Sequence, residues 1–255
     1  MTQRWKLIIE YDGADFIGWQ RQEEGLSVQG CIEDAIRAFC GEDVTLHAAG
    51  RTDAGVHAAG QVAHVDIARP STEKEVRDAT NAYLRPHRIS VVEATPAPAD
   101  FHARFSATKR IYCYRMLMGR FASPALSAGQ VWHVYKDLDV AAMQAAAQRL
   151  TGTHDFSSFR AAECQAKSPV KTLDRLEVVE KPGGIERGRH VEIWAEARSF
   201  LHHQVRNMVG TLKLAGEGKW TAEDVSTALA ARDRTRAGPM APAAGLILVR
   251  VLYGS

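Results

Sequence analysis

The hydrophobic periodicity of this chain runs through one order of strand-like and helix-like stretches, then approximates the same order a second time. In Arg4 to Tyr11, Trp5, Leu7, Ile9 and Tyr11 alternate with Arg4, Lys6 and Glu10, which predicts a half-buried strand. Ser27 then precedes Val28, Cys31, Ile32, Ala35, Ile36 and Phe39, spaced i, i+3, i+4, i+7, i+8 and i+11, with Gly41 beyond. That is one face of a capped helix. Val44 to Ala48 and Gln61 to Ile67 read as strands. Thr72 to Glu75 forms a capping box that opens a helix carrying Val76, Ala79, Tyr83 and Leu84, and Pro86 stops it. Ile89 to Ala94 is a further strand, and Thr95-Pro-Ala-Pro98 reads as a stiff connector. The order is βαββαβ, a split-βαβ pattern.

The second half opens with a strand over Arg110 to Met118. Asp139 caps a helix with Met143, Ala147 and Leu150, closed by Gly152. Strands follow at Thr172 to Val179 and His190 to Ala197, then a helix with Leu201, Val205, Met208, Val209 and Leu212. A short helix starts at Thr221, and Leu246 to Tyr253 is the last strand. The patterning predicts an α+β fold of two similar βαββαβ-type, ferredoxin- or RRM-like halves. Their mainly antiparallel sheets would join into one extended sheet, with helices on one face and a cleft on the other. The expected division is 1–106, carrying the loop described next, and 107–255, carrying Tyr112 and Arg206.

Gly50-Arg-Thr-Asp-Ala-Gly-Val-His57 places one acid in a glycine-framed loop between two strands. Glycines at 50 and 55 allow φ > 0 or close approach to a substrate. Asp53 is either the closing residue of an Asx turn or a catalytic carboxylate held at the rim of a sheet. A carboxylate can attack an anomeric carbon or steady an oxocarbenium ion. It must stay ionised to do so, and a nearby arginine opposes the effect of burial. Arg51 and Arg206 are candidates. Arg206 lies one position beyond the core residue Val205, at the border of its helix's buried face, and would pair with Asp53, a local glutamate or an RNA phosphate.

The formal charge of +2 does not by itself imply a nucleic-acid partner. Its distribution says more. No acid falls between Asp100 and Asp137, where Arg104, Lys109, Arg110, Arg115, Arg120 and Lys136 occur, or between Glu196 and Glu217. These stretches suggest one positive face or an ordinary solvated one. Tyr112 and Tyr114 share a strand face among basic residues, as in proteins that combine phosphate contacts with base stacking, though such rings are also core residues. No metal or nucleotide motif is present, and His202 and His203 read as adjacent helical residues pointing apart. Metal and cofactor are therefore expected to be none. Cys31, Cys40, Cys113 and Cys164 form no C-x-x-C pair. Residues 1–11 lack a signal-peptide core and no apolar run is long enough to span a membrane, so a cytoplasmic protein is expected.

Taken together, several segments resemble the TruA family of tRNA pseudouridine synthases. They are Tyr11-Asp-Gly13 with Phe16, Gly18-Trp-Gln20 and Gln22; Gly50 to His57 with Gly60-Gln61; Phe101 to Ser106; Lys109 to Tyr114; Asp155-Phe156 with Ser158-Phe-Arg160; Phe200 to Gly210; and Gly245-Leu246. The resemblance runs along nearly the whole chain. It implies conversion of uridine to pseudouridine at positions 38, 39 and 40 of the tRNA anticodon stem-loop, without a cofactor, by a homodimer. It implies that Asp53 is the essential aspartate, Arg206 its partner, Tyr112 the ring that stacks on uracil, Arg51 the residue associated with base extrusion, and Leu246 an apolar contact. By the same resemblance Phe101, His102, Ala103, Arg104 and Phe105, and the loop Ala162, Glu163, Cys164, Gln165 and Ala166, would touch tRNA; the basic stretch with Lys109 and Arg110 would hold phosphates. The other readings are a non-catalytic RNA-binding protein or RNA chaperone on the same scaffold, and a nuclease. A binding module has no need of a carboxylate amid its basic face, and a nuclease would need a metal cluster or paired histidines.

Overall fold

The computed structural model describes residues 2–182 and 186–254. The chain forms two compact units: Met1–Thr108 together with Ile247–Ser255, and Lys109–Leu246. Each is a mainly antiparallel sheet with helices, so the class is α+β as the patterning implied. No helix among the described residues is long and apolar enough to cross a membrane.

In the first unit, strand β1 (Gln3–Tyr11) sits between β4 (Ile89–Ala97) and β3 (His57–Ile67), antiparallel to both. The alternation of β1 does what its spacing predicts: Trp5, Leu7, Ile9 and Tyr11 are buried. Helices α1 (Val28–Cys40) and α2 (Glu73–Leu84) add Ile32, Ile36, Val76 and Leu84 to the core. Ser27 caps α1, Gly41 ends it at φ 77°, and the Thr72–Glu75 capping box is formed at the start of α2.

In the first unit three local expectations need correction. The strand expected over 44–48 shrinks to β2 (His47–Ala48). Side chains of α1 occupy the backbone groups a longer strand would use: Leu46 N–H donates to Glu33 at 2.9 Å, and Gln29 donates to Leu46 C=O at 3.2 Å. Thr95 to Ala97 is not a connector but the end of β4, opposite Lys6, Trp5 and Arg4. Pro96 is tolerated there because an edge strand leaves one row of N–H groups outside the ladder. β3 starts four residues earlier than its alternation suggests, because β10 (Leu246–Tyr253) lies parallel to it with Ile247 opposite His57 and Leu248 opposite Ala58. Gly60 permits this approach, since a Cβ there would meet Val249 O at 2.4 Å.

The other face of β1 and β3 carries Arg4, Lys6, His64 and Asp66 beside Ile8 and Val62. Arg4 forms a two-pronged ion pair with Asp66 and also donates to the carbonyls of Ala99 and Phe101, pinning the segment after β4. His64 lies beneath that segment, its ring 5.0 Å from His47 and 4.7 Å from His102, and its Nδ1 accepts from Ala103 N–H.

The second unit is built on β5 (Ala107–Met118), β9 (Arg189–Ala197), β8 (Val170–Lys181) and β7 (Gly152–Asp155), paired antiparallel in that order, with β6 (Trp132–Val134) parallel to β5. Helices α3 (Val140–Gln148), α4 (Gln204–Gly216) and α5 (Ala222–Ala231) supply Met143, Met208, Val209, Leu212 and Val225 to its core. Gly152 does not close α3, which ends at Gln148 with Arg149 as its C-cap; it opens β7 at φ 110°. Leu201 is buried but precedes α4. The turn before the helix holds Leu201 N–H on Gln204 at 2.8 Å and places His203 at φ 62°.

Burial, with the charges of His102, Arg4 and His47, lowers the His64 pKa from 6.5 to about 4. Between these values the unfolded chain binds the proton and the folded chain resists it. This contribution is therefore complete above pH 6.5 and fades as pH falls toward 4, by on the order of 3 kcal/mol. Urea midpoints should drop between pH 7 and pH 5, and His64→Phe should flatten that dependence.

Candidate active site

The Asp53 loop belongs to the first unit, and its shape is set by backbone. Asp53 C=O accepts from Val56 N–H at 3.1 Å, and Gly55 N–H donates to Phe16 C=O at 3.3 Å. The amides that an Asx turn would recruit are thus engaged by carbonyls, and the turn does not depend on the Asp53 carboxylate. Gly55 uses its freedom, at φ 75°; Gly50 does not, having neither positive φ nor an atom within 4 Å of an added Cβ. Thr52 is buried, Asp53 is half-buried, and Arg51 and Ala54 are exposed.

Residues 11–19 hold this loop from behind. Thr52 Oγ1 shares a 2.7 Å hydrogen bond with Tyr11 OH, and Thr52 C=O accepts from Trp19 N–H at 3.0 Å. Burial pushes the Tyr11 phenol up to about 12, so it stays a neutral hydroxyl. Gln61 donates to Gly50 C=O at 2.8 Å. A Cβ on Gly13 would stand 2.1 Å from Val56 O, and one on Gly18 2.8 Å from Thr52 O. His57 Nδ1 lies 3.0 Å from Gly13 N–H and 3.1 Å from Asp12 Oδ1, and the Asp12 carboxylate also pairs with Arg88 at 2.6 Å. The sequence places Tyr11 on one face of its strand, and Tyr11, Gly13, Gly18 and Gln61 in segments that carry the family resemblance, without a role in the site.

In the second unit the two tyrosines of β5 part company. Tyr114 is fully buried, donates to Pro242 C=O at 2.8 Å, and has its pKa raised by burial against the opposing charge of Arg206. Tyr112 is half-buried, with its ring edge-on to Phe200 at 5.2 Å and 90°. It is the one of the pair with a surface to offer a ligand. Arg206 lies in the first turn of α4 and is only 8% exposed. Its Nε donates to Ala241 C=O at 2.9 Å, and its own carbonyl accepts from Ala241 N–H at 3.1 Å. Leu246 is buried immediately after Gly245, whose missing side chain leaves room for the Tyr114 ring. His202 and His203 are not on the helix and do not diverge: they occupy the turn before it, ring centroids 3.8 Å apart.

The expected RNA-contact residues have varied surroundings. Phe105 is 70% exposed with the Arg104 guanidinium 5.6 Å from its ring, and His102 packs on its other neighbours at 4.3 Å from Phe105 and 4.7 Å from His64. Phe101 packs on Tyr253, and Ala103 is buried, its carbonyl accepting from Tyr253 OH. Lys109 lies 3.3 Å from both Asp174 and Glu196, which raise its pKa, and buried Arg110 donates to Arg198 C=O. In the loop 162–166, Ala162, Glu163 and Gln165 are exposed, and Arg160 clasps the carbonyls of Cys164 and Ala166. Burial raises the Cys164 thiol pKa, but the amides of Ala166 and His202 and the charge of Arg160 outweigh it and lower the value.

The support beneath Asp53 is open to a direct check. Tyr11→Phe leaves the Thr52 hydroxyl without its phenol partner in a buried site, at a cost of about 1–3 kcal/mol. A urea midpoint equal to wild type would show that the bond does not hold the loop.

The family model for tRNA pseudouridine synthase matches residues 7–106 and 146–254. The chain is 60% identical over 251 residues to "tRNA pseudouridine synthase A" of Rhodospirillum centenum, covering 98% of this chain and 100% of that one. It is 57% identical over 252 residues to the protein of that name from Paramagnetospirillum magneticum, covering 99% and 96%, and 57% over 250 residues to that from Rhodopseudomonas palustris, covering 98% and 99%. Loop, tyrosine and arginine thus occur within a likeness that spans essentially the full length, and the chain belongs to the TruA family of tRNA pseudouridine synthases, which are isomerases.

Proposed function

We propose that this enzyme converts uridine to pseudouridine at positions 38, 39 and 40 of the tRNA anticodon stem-loop, as a cytoplasmic homodimer that uses neither metal nor organic cofactor. The observation that carries the site assignment is the mounting of Asp53. Its loop is closed by backbone and propped by buried side chains, so the backbone that carries the carboxylate is fixed by contacts other than an Asx turn. Such preorganisation is what a reacting group requires. The stem-loop positions, the dimer and the compartment are supported by the family resemblance.

In this reading the target nucleotide leaves its stack at a cost of a few kcal/mol. Tyr112 recovers part of that by stacking on the uracil, about 1–3 kcal/mol. Arg51, exposed two residues before Asp53, takes part in base extrusion. Asp53 acts on the ribose, as nucleophile at C1′ or as base, and the C1′–N1 bond breaks with its electron pair going to the uracil. The uracil turns, C5 bonds to C1′, the C5 proton is removed with Tyr112 assisting, and N1 gains a proton. Atoms are conserved, as an isomerisation demands. Arg206 pairs with Asp53 and keeps it anionic against desolvation. Leu246 presents an apolar surface to the base.

The exposed Phe105 beside Arg104 supports assigning Phe101 to Phe105 to the tRNA. The exposed part of Ala162 to Ala166 joins it, with Arg110 as a phosphate contact and Lys109 as one that would exchange Asp174 and Glu196 for phosphate. An enzyme acting at three neighbouring positions reads shape more than sequence, as RNA recognition often does.

The test is hydrogen release from uridine C5 of an unmodified tRNA in the presence of a chelator. Wild type should release it, and Asp53→Asn should not while retaining tRNA binding. Persistent release by Asp53→Asn would remove this residue from the mechanism. Arg206→Ala should reduce turnover by about 10² or more with little change in tRNA affinity. A loss confined to affinity would make Arg206 a phosphate contact.

A further inference from the structure

We propose that Thr211, Asn207 and Arg234 are positioning residues that set the Arg206 guanidinium, acting through a backbone strap, residues 237–241, laid along α4. This rests on the role given to Arg206 above.

The strap is held against the helix at both ends. At its start, Gly238 N–H donates to Thr211 Oγ1 at 2.9 Å, and the same hydroxyl donates to Asn207 C=O at 2.8 Å. Arg234 spans the junction. Its Nη1 donates to Gly238 C=O at 2.9 Å and its Nη2 to Asn207 Oδ1 at 3.0 Å, while Asn207 Nδ2 donates to Phe159 C=O at 2.9 Å. At its far end, the amide and carbonyl of Ala241 bond to the carbonyl and Nε of Arg206. Beyond it, Tyr114 OH holds Pro242 C=O.

At Gly210 and Gly238 strap and helix meet backbone to backbone. A Cβ on Gly210 would lie 1.7 Å from Pro239 O, and one on Gly238 2.8 Å from Thr211 Cα. The Nε bond to Ala241 fixes one edge of a planar fork. Any slide of the strap therefore rotates the guanidinium with it. The Thr211 hydroxyl and the Arg234 fork end on Asn207 and Gly238 rather than on Arg206, so their effect passes through Ala241. A misplacement of about 1 Å at a reacting group can cost about 10²-fold in rate.

The experiment uses the full chain, an unmodified tRNA transcript and C5-hydrogen release, with kcat and KM resolved and thermal unfolding recorded for each variant. Thr211→Val removes the hydroxyl at nearly constant volume, and Thr211→Ser keeps it. Arg234→Ala removes the span from the outer side, without altering the helix. Thr211→Val and Arg234→Ala should each lower kcat by about tenfold or more while KM changes by less than about twofold, and Thr211→Ser should recover most of the loss. An unchanged kcat in both, a loss carried by KM, or a Thr211→Ser variant as impaired as Thr211→Val would overturn the proposal. Arg206→Ala separates the two levels. If it behaves as expected and Thr211→Val turns over like wild type, the strap is wrong and the role of Arg206 stands; if Arg206→Ala loses only affinity, the role of Arg206 fails first.

Discussion

Backbone touching backbone, with glycine as the only residue that permits it, fixes the loop on which the proposed chemistry turns. Residues 13 and 18 lie so close to 52–56 that a methyl group on either would overlap a carbonyl oxygen. A loop held only by side chains would sample many positions, since connecting segments are the mobile parts of a fold. Here the contact leaves no room to slide, and beneath it Tyr11 and Thr52 share a hydrogen bond while Gln61 donates to Gly50 C=O. Buried polar groups are costly when unpaired, so such a set rigidifies what it touches. The backbone of Asp53 shares that rigidity.

Much of this was legible before any coordinates. The alternation of β1, the Ser27 cap, the Thr72 capping box and the spacing along β9 each mark their element, because local propensity and burial point the same way there. Legibility failed where partners distant in sequence decided the outcome. Residues 44–46 have a strand-like pattern, yet Glu33 and Gln29 claim the backbone of Leu46. Residues 57–60 have no strand pattern, yet β10 lies beside them. Nothing in the text of β10 announces that its neighbour would be β3.

The candidate site shows the same division. The residue types and spacing of Gly50 to His57 suffice to single out Asp53, but not to decide whether its side chain closes a turn. That answer lies in which groups satisfy the loop amides, and they are carbonyls. Tyr112 and Tyr114 are equivalent by alternation. Only the placement of Pro242 and Gly245 makes one a core residue and leaves the other half-exposed. Charge is a further case. The stretch between Asp100 and Asp137 is acid-free in sequence but not in space, because β8 and β9 bring Asp174 and Glu196 to Lys109. A run of basic residues is evidence for a positive face only after its neighbours across the sheet are known.

Arg206 and Asp53 are mounted by the same physical device. One is on a helix and the other on a loop, and each is gripped by a nearby backbone segment that approaches over glycine. The device has a consequence for which substitutions matter. Side chains that touch no substrate, such as Tyr11 beneath one and Thr211 beside the other, set distances that the reacting groups cannot set for themselves. Losing a methyl-sized increment of space at Gly13 or Gly210 should therefore disturb chemistry more than losing an exposed charge such as Arg236, even though the charge is the larger change in composition. A reacting group tolerates little displacement, while an exposed charge is screened by solvent. Such a site is defined as much by where side chains are missing as by the carboxylate and guanidinium that remain.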